Sequence, residues 1–145
     1  MKRSARLLKL LKLEESRERE QARRLADAQR VLNERRLRLC ELEGYLGDYK
    51  RQFDAITGVS VPAVRVRANH AFLNRLSGII AQQGQAVVEA EQGVVARRDD
   101  WLQARHRMEA LRKSVERLDR EQAASTHKQE QAVTDEAARR TFKRH

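Results

Sequence analysis

The chain has 145 residues, of which 36% are charged and only 4% aromatic, and it carries a formal net charge of +10. So few aromatics leave little with which to fill a round core, which excludes an ordinary globular domain. A chain this polar is either disordered or made of helices whose apolar residues keep to a narrow stripe, and periodicity decides between the two.

The charge is spread evenly. Residues 1–56 hold 15 basic and 10 acidic side chains, which leaves 16 and 11 for residues 57–145. An even spread describes the solvated surface of a coiled coil with a basic bias. The excess keeps an acidic partner in view, whether nucleic acid, anionic lipid or protein. Cys40 is the single cysteine, so no internal disulfide forms and a reducing compartment fits. No apolar run approaches the length of a membrane span and the start of the chain lacks a secretory pattern, so the expected location is cytoplasmic or peripheral to a membrane.

The first arm, about residues 4–57, opens with Lys2-Arg3-Ser4-Ala5-Arg6-Leu7-Leu8-Lys9-Leu10-Leu11-Lys12-Leu13, which is basic and rich in leucine. This segment either packs against the second arm or presents itself to an anionic membrane surface or another protein. Further on, Leu25, Leu32, Leu39, Leu46 and Phe53 recur every seven residues, with Ala28, Arg35, Leu42, Tyr49 and Ile56 three places after each. Apolar side chains at this spacing are a heptad seam, and Arg35 is the polar exception of the kind that sets register at some cost in stability. Followed backwards, the frame reads Gln21, Glu18, Glu14, Leu11, Leu7 and Ser4, so the seam turns polar across residues 14–21.

Thr57-Gly58-Val59-Ser60-Val61-Pro62 holds the only proline of the chain. Glycine accepts backbone angles that end a helix, and proline suits a first helical turn, so this order predicts a bend between two helices, with Ser60 as N-cap.

The second arm, residues 61 to about 140, repeats the pattern. Leu73, Ile80, Val87, Val94, Trp101, Met108 and Val115 form a ladder, and Leu76, Gln83, Ala90, Arg97, Ala104, Leu111 and Leu118 accompany it. Beyond Leu118 the same positions become Gln122, Ser125 and Gln129, so the helix loses its partner face. An antiparallel register that sets Ser4 opposite Leu118 ends the second ladder where the first arm runs out. This predicts an all-α fold, two long helices in one antiparallel coiled-coil hairpin spanning residues 1–145, with residues 119–145 a frayed tail or a docking segment. The same register sets Gln21, Glu18 and Glu14 against Trp101, Ala104 and Met108. Either a local phase shift repairs that mismatch or the section opens its apolar side to a partner.

Chemistry is hard to find in this sequence. His70, His106, His127 and His145 are scattered without ligand spacing, no glycine-rich phosphate loop exists, and a lone hairpin has no cleft that excludes water. The expectation is a protein without catalytic activity, metal or cofactor. Aromatics are more telling, because Tyr45, Tyr49, Phe53 and Phe72 lie near the bend. Phe72 and Ile79 each precede a seam residue and widen the apolar stripe there, which makes a candidate binding surface.

Leu46-Gly47-Asp48-Tyr49 with Phe53, the glycine-bearing bend, Phe72-Leu73, Leu76, Ile80 and Gln83, and later Arg98, Trp101 and Leu111, resemble the flagellar FliJ family. The resemblance covers most of the chain and is densest over residues 45–83. It implies a small, non-enzymatic antiparallel coiled coil of the flagellar type III export apparatus. The alternatives are the equivalent stalk of a virulence type III secretion system, or a basic nucleic-acid-binding or structural helical hairpin. The implied partners are the hexameric export ATPase FliI, its regulator FliH, the membrane export gate FlhA and export chaperones. The gate-binding positions of the family carry over to Leu46, Tyr49, Phe53, Phe72 and Leu76, while Leu42, Ile79 and Gln83 stand where the family pattern has other side chains. Contact with the ATPase ring is implied for the terminal part of the arms, at Leu7, Leu11, Trp101 and Met108.

Overall fold

Both arms are rich in Leu, Ala, Arg, Glu and Gln, which form helices readily, and neither has a proline or a β-branched run in its interior. A computed structural model, which describes residues 2–56 and 61–143, contains two helices, α1 (Lys2–Ile56) and α2 (Ala63–Lys143). They pack antiparallel as an all-α hairpin, and no strand occurs among the described residues. At the start of α2 the carbonyl of Pro62 accepts from the amides of Arg65, at 3.0 Å, and Val66, at 3.2 Å. Pro62 therefore sits at the cap position, where its missing amide is not needed by the helix. The expected N-cap Ser60 lies outside the described residues.

Contacts divide the chain into two units, residues 21–101 and residues 1–20 with 102–145. In the first, Leu32, Val87 and Val94 form a buried cluster flanked by Leu25, Ala28, Leu39 and Ala90. Leu42 and Leu76 are buried closer to the bend. These are the heptad positions read from the sequence, and each fully buried side chain of this kind is worth about 1.5–3 kcal/mol. Arg36 and Glu91 pair across the seam at 3.5 Å, both about half exposed, so they steer alignment more than they stabilise.

Arg35 behaves differently from the register-setting role expected of it. Its side chain is exposed, and Gln83 reaches across the seam to donate from Nε2 to the Arg35 carbonyl at 3.0 Å. A long, flexible arginine leaves the seam at little cost, whereas a shorter amide there has to find a partner. The polar device at this layer is thus the glutamine and a backbone oxygen.

In the terminal unit, Leu11, Ala104 and Val115 are buried, with Leu7, Met108, Leu111 and Leu118 partly buried beside them. Glu15 and Arg112 pair along the edge at 3.8 Å. No phase shift repairs the polar stretch of α1. Glu14 and Glu18 stay partly buried at their seam positions, while Leu13 remains 46% exposed. Glu14 receives a hydrogen bond from Arg17 at 2.9 Å on Oε1, and its Oε2 is enclosed without a partner. Gln21, in the other unit, likewise has an enclosed and unpartnered Oε1. Beyond Leu118, α2 continues to Lys143 with every described residue exposed. Local pairs such as Arg140 with Glu136 at 3.1 Å are found there.

Candidate functional site

Heptad spacing assigns Tyr49 to the seam, yet it is 47% exposed. Its ring instead meets Phe72, which is 38% exposed, with centroids 4.7 Å apart and planes tilted by 53°. One turn nearer the bend, Phe53 and His70 pack edge to face at 5.6 Å. Tilted and edge-on rings attract through their quadrupoles, about 0.5–1.5 kcal/mol beyond area burial, so the two pairs hold each other in place on the outside of the hairpin.

Between them runs a groove of about 350 Å³ lined by Tyr49, Gln52 and Phe53 of α1 and Ala68, Asn69, Phe72 and Leu73 of α2. Its walls are aromatic and aliphatic. Its polar groups are the two amides and the tyrosine hydroxyl, each able to donate and to accept. Tyrosine and other aromatics exposed in a ready-made hollow are the anchors typical of protein interfaces. The arrangement suits the apolar side chains of a peptide or helix and offers no nucleophile paired with a base.

Of the five positions expected to meet a gate protein, the structure brings Tyr49, Phe53 and Phe72 to the groove. Leu46 is partly buried and Leu76 is buried at 8% exposure, and neither lines the groove. Gln52, Ala68 and Asn69 were not singled out in the sequence. The latent signal was spacing, since Ala68 and Asn69 stand one helical turn before Phe72 and Gln52 precedes Phe53. Of the positions expected to meet the ATPase, Leu11 is buried and Leu7 and Met108 are partly buried in the terminal unit, and Trp101 is partly buried in the other. The arginines beside Leu7 are the more available groups there. Arg3, Arg6 and Arg117 line a groove of about 560 Å³ with Leu7 and Leu118.

Among the described residues no cluster of His, Cys, Asp or Glu is placed to hold a metal ion, and no helix is long and apolar enough to cross a membrane. Residues 2–145 match the family model described as the flagellar FliJ protein. No significant match was found among curated proteins or solved structures. Because the family match spans essentially the whole chain and the chain folds as the helical hairpin its seam demands, the protein belongs to the FliJ family of flagellar type III export components.

Proposed function

We propose that this protein is a non-enzymatic coupling component of the flagellar export apparatus. In this reading it joins the hexameric export ATPase FliI, with its regulator FliH, to the export gate FlhA, and it supports assembly of the ATPase ring and delivery of chaperones with their substrates. It acts in the cytoplasm, at the face of the inner membrane where the gate lies. The observation that carries the reading is the aromatic groove of Tyr49, Phe53 and Phe72 on a hairpin of this family. The groove is already walled by packed rings, so a partner inserting apolar side chains has little ordering entropy to supply. The terminal segments of α1 and α2, around Leu7, Leu11 and Met108, engage the ATPase.

The test is a pull-down of the purified chain with the hexameric ATPase and, separately, with the cytoplasmic domain of the gate protein. The double variant Tyr49→Ala/Phe72→Ala is expected to lose gate binding and to keep ATPase binding and helicity. An unchanged affinity for the gate in that variant, or binding of the wild type to neither protein, would remove the proposal.

A further inference from the structure

We propose that the middle of α2 carries a second docking face, separate from the aromatic groove, which takes a basic amphipathic helix of another protein. Val88 and Val95 are 43% and 59% exposed there, each next to a buried seam residue, Val87 and Val94. With Glu91, Gln92, Ala96 and Asp99 they line a hollow of about 470 Å³ that lies wholly on α2 and within the unit of residues 21–101. Spacings of three, four and seven residues put these side chains on one outward strip, so the two valines lie outside the seam.

Charge specifies the occupant. The chain has 31 lysines and arginines, yet residues 76–96 hold none, the longest such run in the sequence, and Glu89 and Glu91 fall within it. Several acids elsewhere pair within their own helix, as Glu34 does with Arg30 and Glu109 with Arg105, both at 3.0 Å. Neither acid of the hollow can do so. The residues three and four places from Glu91 are Val87, Val88, Val94 and Val95, and those around Asp99 are Val95, Ala96, Leu102 and Gln103. Glu91 reaches Arg36 across the seam at 3.5 Å, and Arg98 is the cation next in sequence to Asp99. A lysine or arginine supplied from outside completes both carboxylates and lays its aliphatic stem over the valines. A second copy of this chain would instead bring the same two acids against themselves.

The strip is also low enough for a helix to lie close. Gly84 stands one turn before Val88, and a side chain added there would meet nothing within 4 Å among the described residues, so packing between α1 and α2 does not require a glycine. A glycine inside a helix costs stability relative to alanine. With the small Ala81 and Ala96 on the same side, it lets a partner helix approach to about 8 Å between axes, the short end of the usual range. Apolar anchors along a single strip are what a helical partner reads.

The probe is a fluorescent helical peptide of about 18 residues, or five turns, with leucines on one strip and lysines flanking it, compared with its glutamate-for-lysine counterpart. Each is titrated into the full-length protein and followed by anisotropy. Neither ATPase nor gate protein is present, so the outcome is independent of the coupling reading. The lysine peptide is expected to bind although the net charge of +10 opposes it. Val88→Ser/Val95→Ser should weaken that binding about 10-fold, leave any binding of the glutamate peptide unchanged, and keep helicity, because both valines are outside the seam. Glu91→Gln/Asp99→Asn should weaken it about 5-fold. Gly84→Leu should also weaken it while raising the thermal midpoint, an opposition that a purely structural glycine would not give. Tyr49→Ala/Phe72→Ala should bind the lysine peptide as the wild type does. No binding of the lysine peptide, undiminished binding in the valine variant, or loss of binding in the Tyr49/Phe72 variant overturns the proposal. So does a light-scattering mass of two chains that the valine variant reduces to one, which assigns the face to a second copy.

Discussion

Replacing Glu14 by leucine should make this protein more stable, although the substitution removes an observed ion pair. The Glu14 side chain is only 12% exposed, and one of its oxygens is enclosed with no hydrogen-bond partner. Leaving such an atom unsatisfied costs about 1–3 kcal/mol, and a leucine at the same seam position, beside Leu11, adds roughly 2 kcal/mol of apolar burial. The bond lost is to Arg17, itself 56% exposed, and pairs of that kind contribute less than about 1 kcal/mol. The balance is a gain of about 2–4 kcal/mol, equivalent to roughly 5–15 °C in midpoint for a chain of this size. Thermal and urea unfolding followed by far-ultraviolet circular dichroism would measure it, with Glu14→Gln as the control that removes charge and keeps shape. An unchanged or lower midpoint for Glu14→Leu would refute the reasoning, since it would mean that the carboxylate is adequately solvated where it stands. The same variant also informs function. If the polar stretch serves partner binding, the stabilised protein should engage the ATPase more weakly than the wild type.

Gln83→Ala should lower stability by about 1 kcal/mol through loss of its bond to the Arg35 carbonyl, whereas Arg35→Ala should change it by less than about 0.5 kcal/mol. The reverse order in chemical denaturation would return the register role to the arginine. Leu76→Ala should destabilise by about 2–3 kcal/mol from its buried position, while Phe72→Ala loses about 1 kcal/mol of ring contact and most of the gate affinity. Equal effects of both on unfolding and on binding would mean that the groove is only core. The Glu109 carboxyl lies below the ordinary value of 4.5, first because Arg105 hydrogen-bonds it, at 3.0 Å, against a smaller opposing effect of desolvation, with Arg105, His106 and Lys113 adding positive charge nearby. Its lowered folded pKa makes its contribution complete above 4.5 and lost as pH falls through the folded value. A carboxyl NMR titration should show this midpoint moving up towards 4.5 in Arg105→Gln, and an unmoved midpoint would deny the bond its role.

The hairpin was legible because a seven-residue ladder needs only the direction of each Cα–Cβ bond, which sequence spacing supplies. On that basis every one of the fourteen expected seam positions of α2 from Leu73 to Leu118 is buried or partly buried, and the outward Cys40 is exposed. What spacing does not supply is the path of a long side chain beyond Cβ. Arg35 and Tyr49 both start at seam positions and both leave, the first for solvent and the second for the Phe72 ring. The groove follows from that departure. Its outline was half visible as a cluster of aromatics near the bend, but the amides of Gln52 and Asn69 acquire meaning only once the two helices are set side by side.

Tyr49 and Glu14 are departures from the same rule, and they differ in what they cost. A leucine at either position would bury more apolar surface in a seam that otherwise follows its heptads closely. At Tyr49 the loss is largely offset on the spot, because the displaced ring gains a tilted contact with Phe72 and builds one wall of a hollow. At Glu14 the exposed Arg17 on Oε1 offsets little of it, since the enclosed Oε2 has no partner among the described residues. A local rule broken with compensation marks a site completed within the fold, whereas one broken without it marks a place where stability has been left unclaimed. The aromatic groove is therefore the site to probe by removing side chains, and the polar seam is the one to probe by restoring the leucine that the heptad asks for.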